Sequence, residues 1–133
     1  MIGIGLRVKH SAEAVAMYQR AFGLELGYHV LNDDGSFFHS ELLKDGAEML
    51  SVVESDNAAV GWNPVQLGFG VGDEAELRAA LDVLKVGGHI DMDVCELPWS
   101  PCAAEVTDRF GVNWYLTVPQ HRPPESFTPP AKG

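Results

Sequence analysis

Eight side chains in this sequence have the type and the strand-like spacing to meet a small molecule: Arg7, His39, Glu41, Met49, Gln66, Trp99, Asn113 and Tyr115. Asn113 and Tyr115 alternate with Val112, Trp114, Leu116 and Val118, so hydrogen-bonding groups share one face of a strand and apolar groups the other. Gln66 opens a second alternating run. These three can orient a polar substrate, or satisfy one another across strands. Arg7 can grip a carboxylate or phosphate bidentately, or pair with one of nineteen acids. His39 and Glu41 stand two apart on one strand. They can chelate a divalent ion with His89 or Asp91, hydrogen-bond a ligand, or simply be a solvent-facing pair or part of a hydrogen-bonded edge strand. Trp99, between Pro98 and Pro101, can stack on a ligand or fill a seam between subunits.

The elements that must position these groups follow from periodicity. Ile2, Ile4, Leu6 and Val8 alternate with Gly3, Gly5 and Arg7 as a strand whose second face is nearly bare. Ser11 starts a helix with the stripe Val15, Tyr18, Phe22, and Gly23 ends it in the left-handed region. Leu24–Leu31 is extended, Asn32-Asp-Asp-Gly35 is a hairpin turn, and Phe37–Leu43 is a strand placing Phe37, His39, Glu41 and Leu43 on one face. Lys44-Asp-Gly46 turns into a strand over 48–53. After a polar loop, 55–64, Leu67, Phe69 and Val71 alternate with Gln66, Gly68 and Gly70. Asp73 with Glu76 forms a capping box for a helix striped by Leu77, Leu81 and Leu84, and Gly87-Gly88 closes it. His89–Leu97 is extended, Pro98–Pro101 a loop and Ala103–Thr107 a strand. Asp108-Arg-Phe-Gly111 turns into the final strand, Val112–Val118.

The halves repeat. Ile4, Gly5, Leu6 and Val8 lie 63 positions before Leu67, Gly68, Phe69 and Val71, and Glu13 lies 63 before Glu76. Each half reads strand, helix, strand, strand, strand. One such module cannot bury its own sheet face, so two must associate. The expected class is α+β: paired βαβββ modules forming a cupped mixed sheet with helices outside. Residues 1–118 make one domain, with modules at about 1–54 and 65–118 and a proline-rich tail over 119–133.

The paired modules, the helix Ala14-Val-Ala-Met-Tyr-Gln-Arg-Ala-Phe-Gly23, the strand His39-Ser-Glu-Leu-Leu and the ending Asp108-Arg-Phe-Gly-Val-Asn-Trp together resemble the vicinal-oxygen-chelate superfamily. Within it the chain is similar to the PhnB-like branch of glyoxalase/bleomycin-resistance relatives. The resemblance implies a cytoplasmic homodimer with a small-molecule pocket in the cupped sheets, bordered by the Trp99 loop. It also implies a metal-ligand set falling on Gly3, Met49, Gln66 and Tyr115. Gly3 has no donor atom and Met49 offers only a soft thioether, so no cofactor is expected at these positions. The alternatives are a metal-dependent lyase, isomerase or dioxygenase built on His39 and Glu41, and a non-enzymatic interaction module.

The 19 acidic and 9 basic residues give a net charge of −10, which opposes binding to nucleic acid or anionic membranes. No apolar run approaches the ~20 residues of a membrane span, and the first residues lack the pattern of a secretory signal. Two cysteines, Cys95 and Cys102, flank the proline loop. Hairpin pairing can bring them close, but reduced thiols are expected in the cytoplasm. No nucleotide or methyl-donor motif is present.

Overall fold

A computed structural model describes residues 2–56 and 65–119. Most of the expected 119–133 tail and of the expected 55–64 loop lies outside the described residues. The element order is β1 (Gly5–Val8), α1 (Ser11–Phe22), β2 (Glu25–Leu31), β3 (Phe37–Lys44), β4 (Ala47–Glu54), β5 (Gln66–Gly70), α2 (Glu74–Leu84), β6 (His89–Leu97), β7 (Ser100–Thr107) and β8 (Asn113–Thr117). The expected repeat is present. Two four-stranded mixed sheets have the orders β1-β4-β3-β2 and β5-β8-β7-β6, the same topology twice. In each, the first strand runs parallel to the last and the others are antiparallel.

Each helix covers one face of its own sheet, and the helices also touch each other. Buried Ala14, Val15, Met17, Tyr18 and Phe22 of α1 join Leu77, Ala80, Leu81 and Leu84 of α2 in one apolar cluster. Aromatic contacts knit the modules together. Phe22 stacks on Phe69 with ring centroids 4.2 Å apart and lies 4.8 Å from Trp114, and Tyr18 meets Trp114 edge-on at 5.3 Å. Such pairs add about 0.5–1.5 kcal/mol each beyond area burial.

The helices are capped differently. Asp73 accepts from the Glu76 amide at 2.8 Å, as the spacing predicts, while the Glu76 carboxylate returns to the Gly72 amide at 2.9 Å, one residue before the N-cap amide of a regular capping box. Ser11 is instead the first helical residue of α1, and His10 before it is left-handed at φ 62° with no side-chain cap of its own. The cap comes from β4. Glu54 accepts from the His10 amide at 3.1 Å, the Ser11 amide at 2.9 Å and the Ser11 hydroxyl at 2.8 Å. Burial pushes the Glu54 carboxyl upward, but these three donors outweigh it and hold the group below its ordinary range. At the other end Gly23 is left-handed at φ 65°, as expected, and the Lys44 ammonium donates to the Phe22 carbonyl at 2.7 Å.

Two strand expectations need correction. Phe37 does not share a face with His39 and Glu41: it is buried, while they are half-buried on the opposite side. The β2–β3 pairing slips between Val30↔His39 and Leu31↔Phe37, an irregularity that turns Phe37 into the core, where its amide donates to the Ser11 hydroxyl at 2.9 Å. Pro98–Pro101 is also not wholly a loop. Leu97 pairs with Ser100, so Pro98-Trp99 alone makes the turn and β7 includes Pro101. A proline at the second position of a strand lies near the end, where a missing donor is tolerated.

Candidate functional site

The turn before β8 builds the floor of the site. Asp108 is buried, and its carboxylate accepts from the Tyr18 hydroxyl at 2.7 Å, the Trp114 indole at 2.9 Å, the Phe110 amide at 2.9 Å and the Val112 amide at 3.1 Å. Gly111 supplies the expected positive φ of 87°. Burial pushes the Tyr18 phenol far above its ordinary pKa, and the neighbouring Asp108 charge adds to this. Trp114 and Leu116 are thereby fixed into the core, which leaves Asn113, Tyr115 and Thr117 on the open face, as the alternation predicts.

Cross-strand register lays that face out in rows. Gln66 lies beside Asn113 and Asn113 beside Thr107. Gly68 lies beside Tyr115 and Tyr115 beside Glu105. Gly70, Thr117, Ala103 and Cys95 make a third row. A hydrogen-bonded chain crosses all four strands. The Gln66 amide donates to Asn113 Oδ1 at 2.6 Å and to Glu105 at 3.2 Å, and Asn113 Nδ2 donates to Asp91 at 3.1 Å. Thr107 donates to the same Asp91 oxygen at 2.7 Å, while the other oxygen lies 2.7 Å from His89 Nε2. Beside this chain the Trp99 indole donates to the Tyr115 hydroxyl at 2.8 Å. Gly68 leaves room above the sheet: a Cβ there meets nothing nearer than the Tyr115 carbonyl, at 4.0 Å.

Sequence reasoning singled out Gln66, Trp99, Asn113 and Tyr115, and the second sheet gathers all four. Its reading missed Glu105 and Thr107. The alternation of β7 carried that signal, since Cys102, Ala104 and Val106 turn into the core and Glu105 and Thr107 away from it, although Ala103 on their side is buried too.

The other candidates lie on the first sheet. His39 Nε2 is 2.8 Å from Glu41 Oε2, with the Tyr28 ring 5.8 Å from the imidazole. Met49 is exposed on β4. Arg7 is exposed on β1, and among the described residues it has, like Arg20 on α1, no ion pair or hydrogen bond, whereas Arg78 and Arg109 are paired with Glu74 and Glu13. His39–Glu41 and His89–Asp91 thus form two separate pairs on two sheets, and among the described residues no three His, Cys, Asp or Glu side chains come together.

Register also revises one position implied by the family resemblance. Gly5 pairs with Ser51 as Gly68 pairs with Tyr115, so the counterpart of Tyr115 in the first module is Ser51 rather than Met49. The four metal-ligand positions become Gly3, Ser51, Gln66 and Tyr115. One has no donor, one is a neutral hydroxyl, and the last two are engaged by Asn113, Glu105 and Trp99. This set does not fit a hard divalent ion, which favours carboxylate and imidazole. Cys95 and Cys102 are both free. Cys95 pairs with Ala103 on the open face, so neighbouring Cys102 points the opposite way into the core and the two cannot bond.

No protein-family model matches the chain, and no curated protein matches it in sequence. Solved structures do match. A PhnB protein from Bacillus cereus superposes with a TM-score of 0.75 at 24% identity, covering 88% of this chain and 98% of its own. Protein PA1353 from Pseudomonas aeruginosa gives a TM-score of 0.75 at 22% identity, covering 91% and 98%. The fosfomycin resistance protein FosX from Listeria monocytogenes, complexed with Mn(II) and sulfate, gives 0.65 at 16% identity, covering 90% of each chain. These likenesses, with the duplicated sheet order, establish that the chain has the paired βαβββ fold of the glyoxalase/bleomycin-resistance, or vicinal-oxygen-chelate, proteins.

Proposed function

We propose that this protein binds a small molecule on the open faces of its paired sheets, as a cytoplasmic homodimer, with no metal ion at the positions the fold family uses. The two modules act as one domain over about 1–118. The observation that carries the reading is the second sheet's open face, where the Trp99–Tyr115 pair and the Gln66–Asn113–Asp91 chain border the space above Gly68. A few fixed polar groups beside apolar surface are what a small-molecule site requires. Arg7, His39, Glu41 and Met49 complete the proposed lining from the first sheet. A second copy of the chain would cover apolar groups otherwise left to water, among them Tyr28 at 66% exposure and Phe38 at 69%. The net charge of −10 disfavours nucleic acid and anionic membranes as partners, and among the described residues no helix is long and apolar enough to cross a membrane.

The test is a thermal-shift screen of small molecules, with and without divalent metals, on wild type and Tyr115→Phe. A ligand that raises Tm without metal, and less so in Tyr115→Phe, is expected. Stoichiometric metal retained through dialysis and lost in both His39→Ala and Glu41→Ala would replace this reading with a metal-dependent enzyme.

A further inference from the structure

We infer that the cleft between the edge strands β1 and β5 takes a monoanion with an apolar body, its charge held by Arg7. This deepens the proposal above and rests on its premise that the protein binds small molecules.

The cleft has a volume of about 320 Å3, within the ~300–1,000 Å3 range of small-ligand pockets. Its walls are apolar: Ile4 and Leu6 from β1, Val65 and Leu67 at β5, and Phe110 and Val112 from the turn before β8. Among the described residues Arg7 is the one charged side chain in the lining. Gly5 and Gly111 line it too and keep its walls low.

Two observations converge on an anion. The guanidinium of Arg7 has no hydrogen bond or ion pair among the described residues, although the chain carries 19 acids. An arginine left unpaired in so acidic a chain keeps all five donors for a guest. Among the described residues the walls offer nothing else for a polar group to bond except backbone, so a fully polar ligand would lose hydration without return. The Phe110 wall is itself braced from behind by Arg109, whose guanidinium lies 4.9 Å from the ring centroid and is paired with Glu13. Apolar walls with one free cation at the mouth match a carboxylate or sulfonate carried on an alkyl or aryl group.

The experiment is titration calorimetry of the full chain with octanoate, octanol and octylamine at low salt. Octanoate is expected to bind about tenfold or more tighter than octanol, the scale of one charge-assisted hydrogen bond, with octylamine weakest. Arg7→Gln should bring octanoate and octanol within about twofold of each other, and Arg7→Lys should restore part of the gap. Ile4→Trp, at a 42%-exposed position, should weaken all three by filling the cleft. Arg78→Gln, on α2 and outside the cleft lining, should leave octanoate binding unchanged. Octanol binding as tightly as octanoate, octanoate binding unaffected by Arg7→Gln, or no octanoate binding at millimolar concentration would each overturn the inference. A screen ligand weakened by Tyr115→Phe but not by Arg7→Gln would show that the broader reading stands without it.

Discussion

The Tyr18 hydroxyl donates to the Asp108 carboxylate at 2.7 Å across 90 positions of sequence, joining the first module's helix to the second module's last turn. Three more donors converge on the same carboxylate, so it cannot be removed without orphaning buried groups. Asp108→Ala should cost about 3–5 kcal/mol, a large part of a typical 5–15 kcal/mol margin. Tyr18→Phe, which leaves Asp108 three partners, should cost about 1–2 kcal/mol. Urea denaturation of both variants checks the order.

The same pair sets an alkaline limit. Tyr18 stays protonated in the folded chain far above the pH at which the unfolded phenol, near 10, ionises. Above that pH the unfolded state binds fewer protons than the folded one, so stability falls as pH rises. Melting temperatures in buffers from pH 8 to 11 should drop beyond pH 10, and Tyr18→Phe should flatten the slope.

Glu54 has the opposite sign. Its folded pKa lies below the ordinary 4.5, so its contribution is present above that value and disappears as pH falls through the folded one. Glu54→Gln should cost about 0.5–2 kcal/mol at neutral pH, as expected for a lost helix cap, and should reduce acid sensitivity below pH 4.5. Circular dichroism of α1 unfolding against pH measures both.

Two glycines should respond in opposite ways. A Cβ on Gly88 would sit 2.1 Å from the Thr107 carbonyl, so Gly88→Ala should force backbone apart and destabilise by several kcal/mol. At Gly68 there is open space, so Gly68→Leu should fold with a Tm near wild type. The proposed ligand space above β5 would then be filled, and any ligand found by thermal shift should lose its effect.

The thiols should separate by reactivity. Burial pushes the Cys102 thiol up, and the nearby Glu74 charge adds to it, while Cys95 is half-buried on the open face. Ellman's reagent should modify one thiol in the native protein and two in guanidinium. Cys95→Ser should abolish the native reaction.

The sequence carried the fold well because its signals are local or repeated. The Asp73–Glu76 spacing and the alternation of Val112–Val118 need only nearby residues, the 63-residue offset needs only the same pattern read twice, and the Asp73 cap, the β8 alternation and the duplicated topology all appear in the structure. What it hid involves distant partners. Nothing around Glu54 reveals a cap for a helix 43 positions earlier, and nothing around Asp108 points to Tyr18. Phe37 was misplaced because an extra residue in a strand shifts which side its neighbours face, and periodicity assumes no such insertion. At the site, residue types and faces were readable on β8. Which side chains hold one another was not, because that depends on register across four strands.

Phe22 of the first helix rests on Phe69 and Trp114 of the second sheet, so neither half has a complete interior by itself. A duplicated ancestor could have kept its copies independent; this one has welded them. The walls on either side of Arg7 therefore share one interior, and a guest of the proposed cleft should enter a preformed seat at a rate set by diffusion and charge.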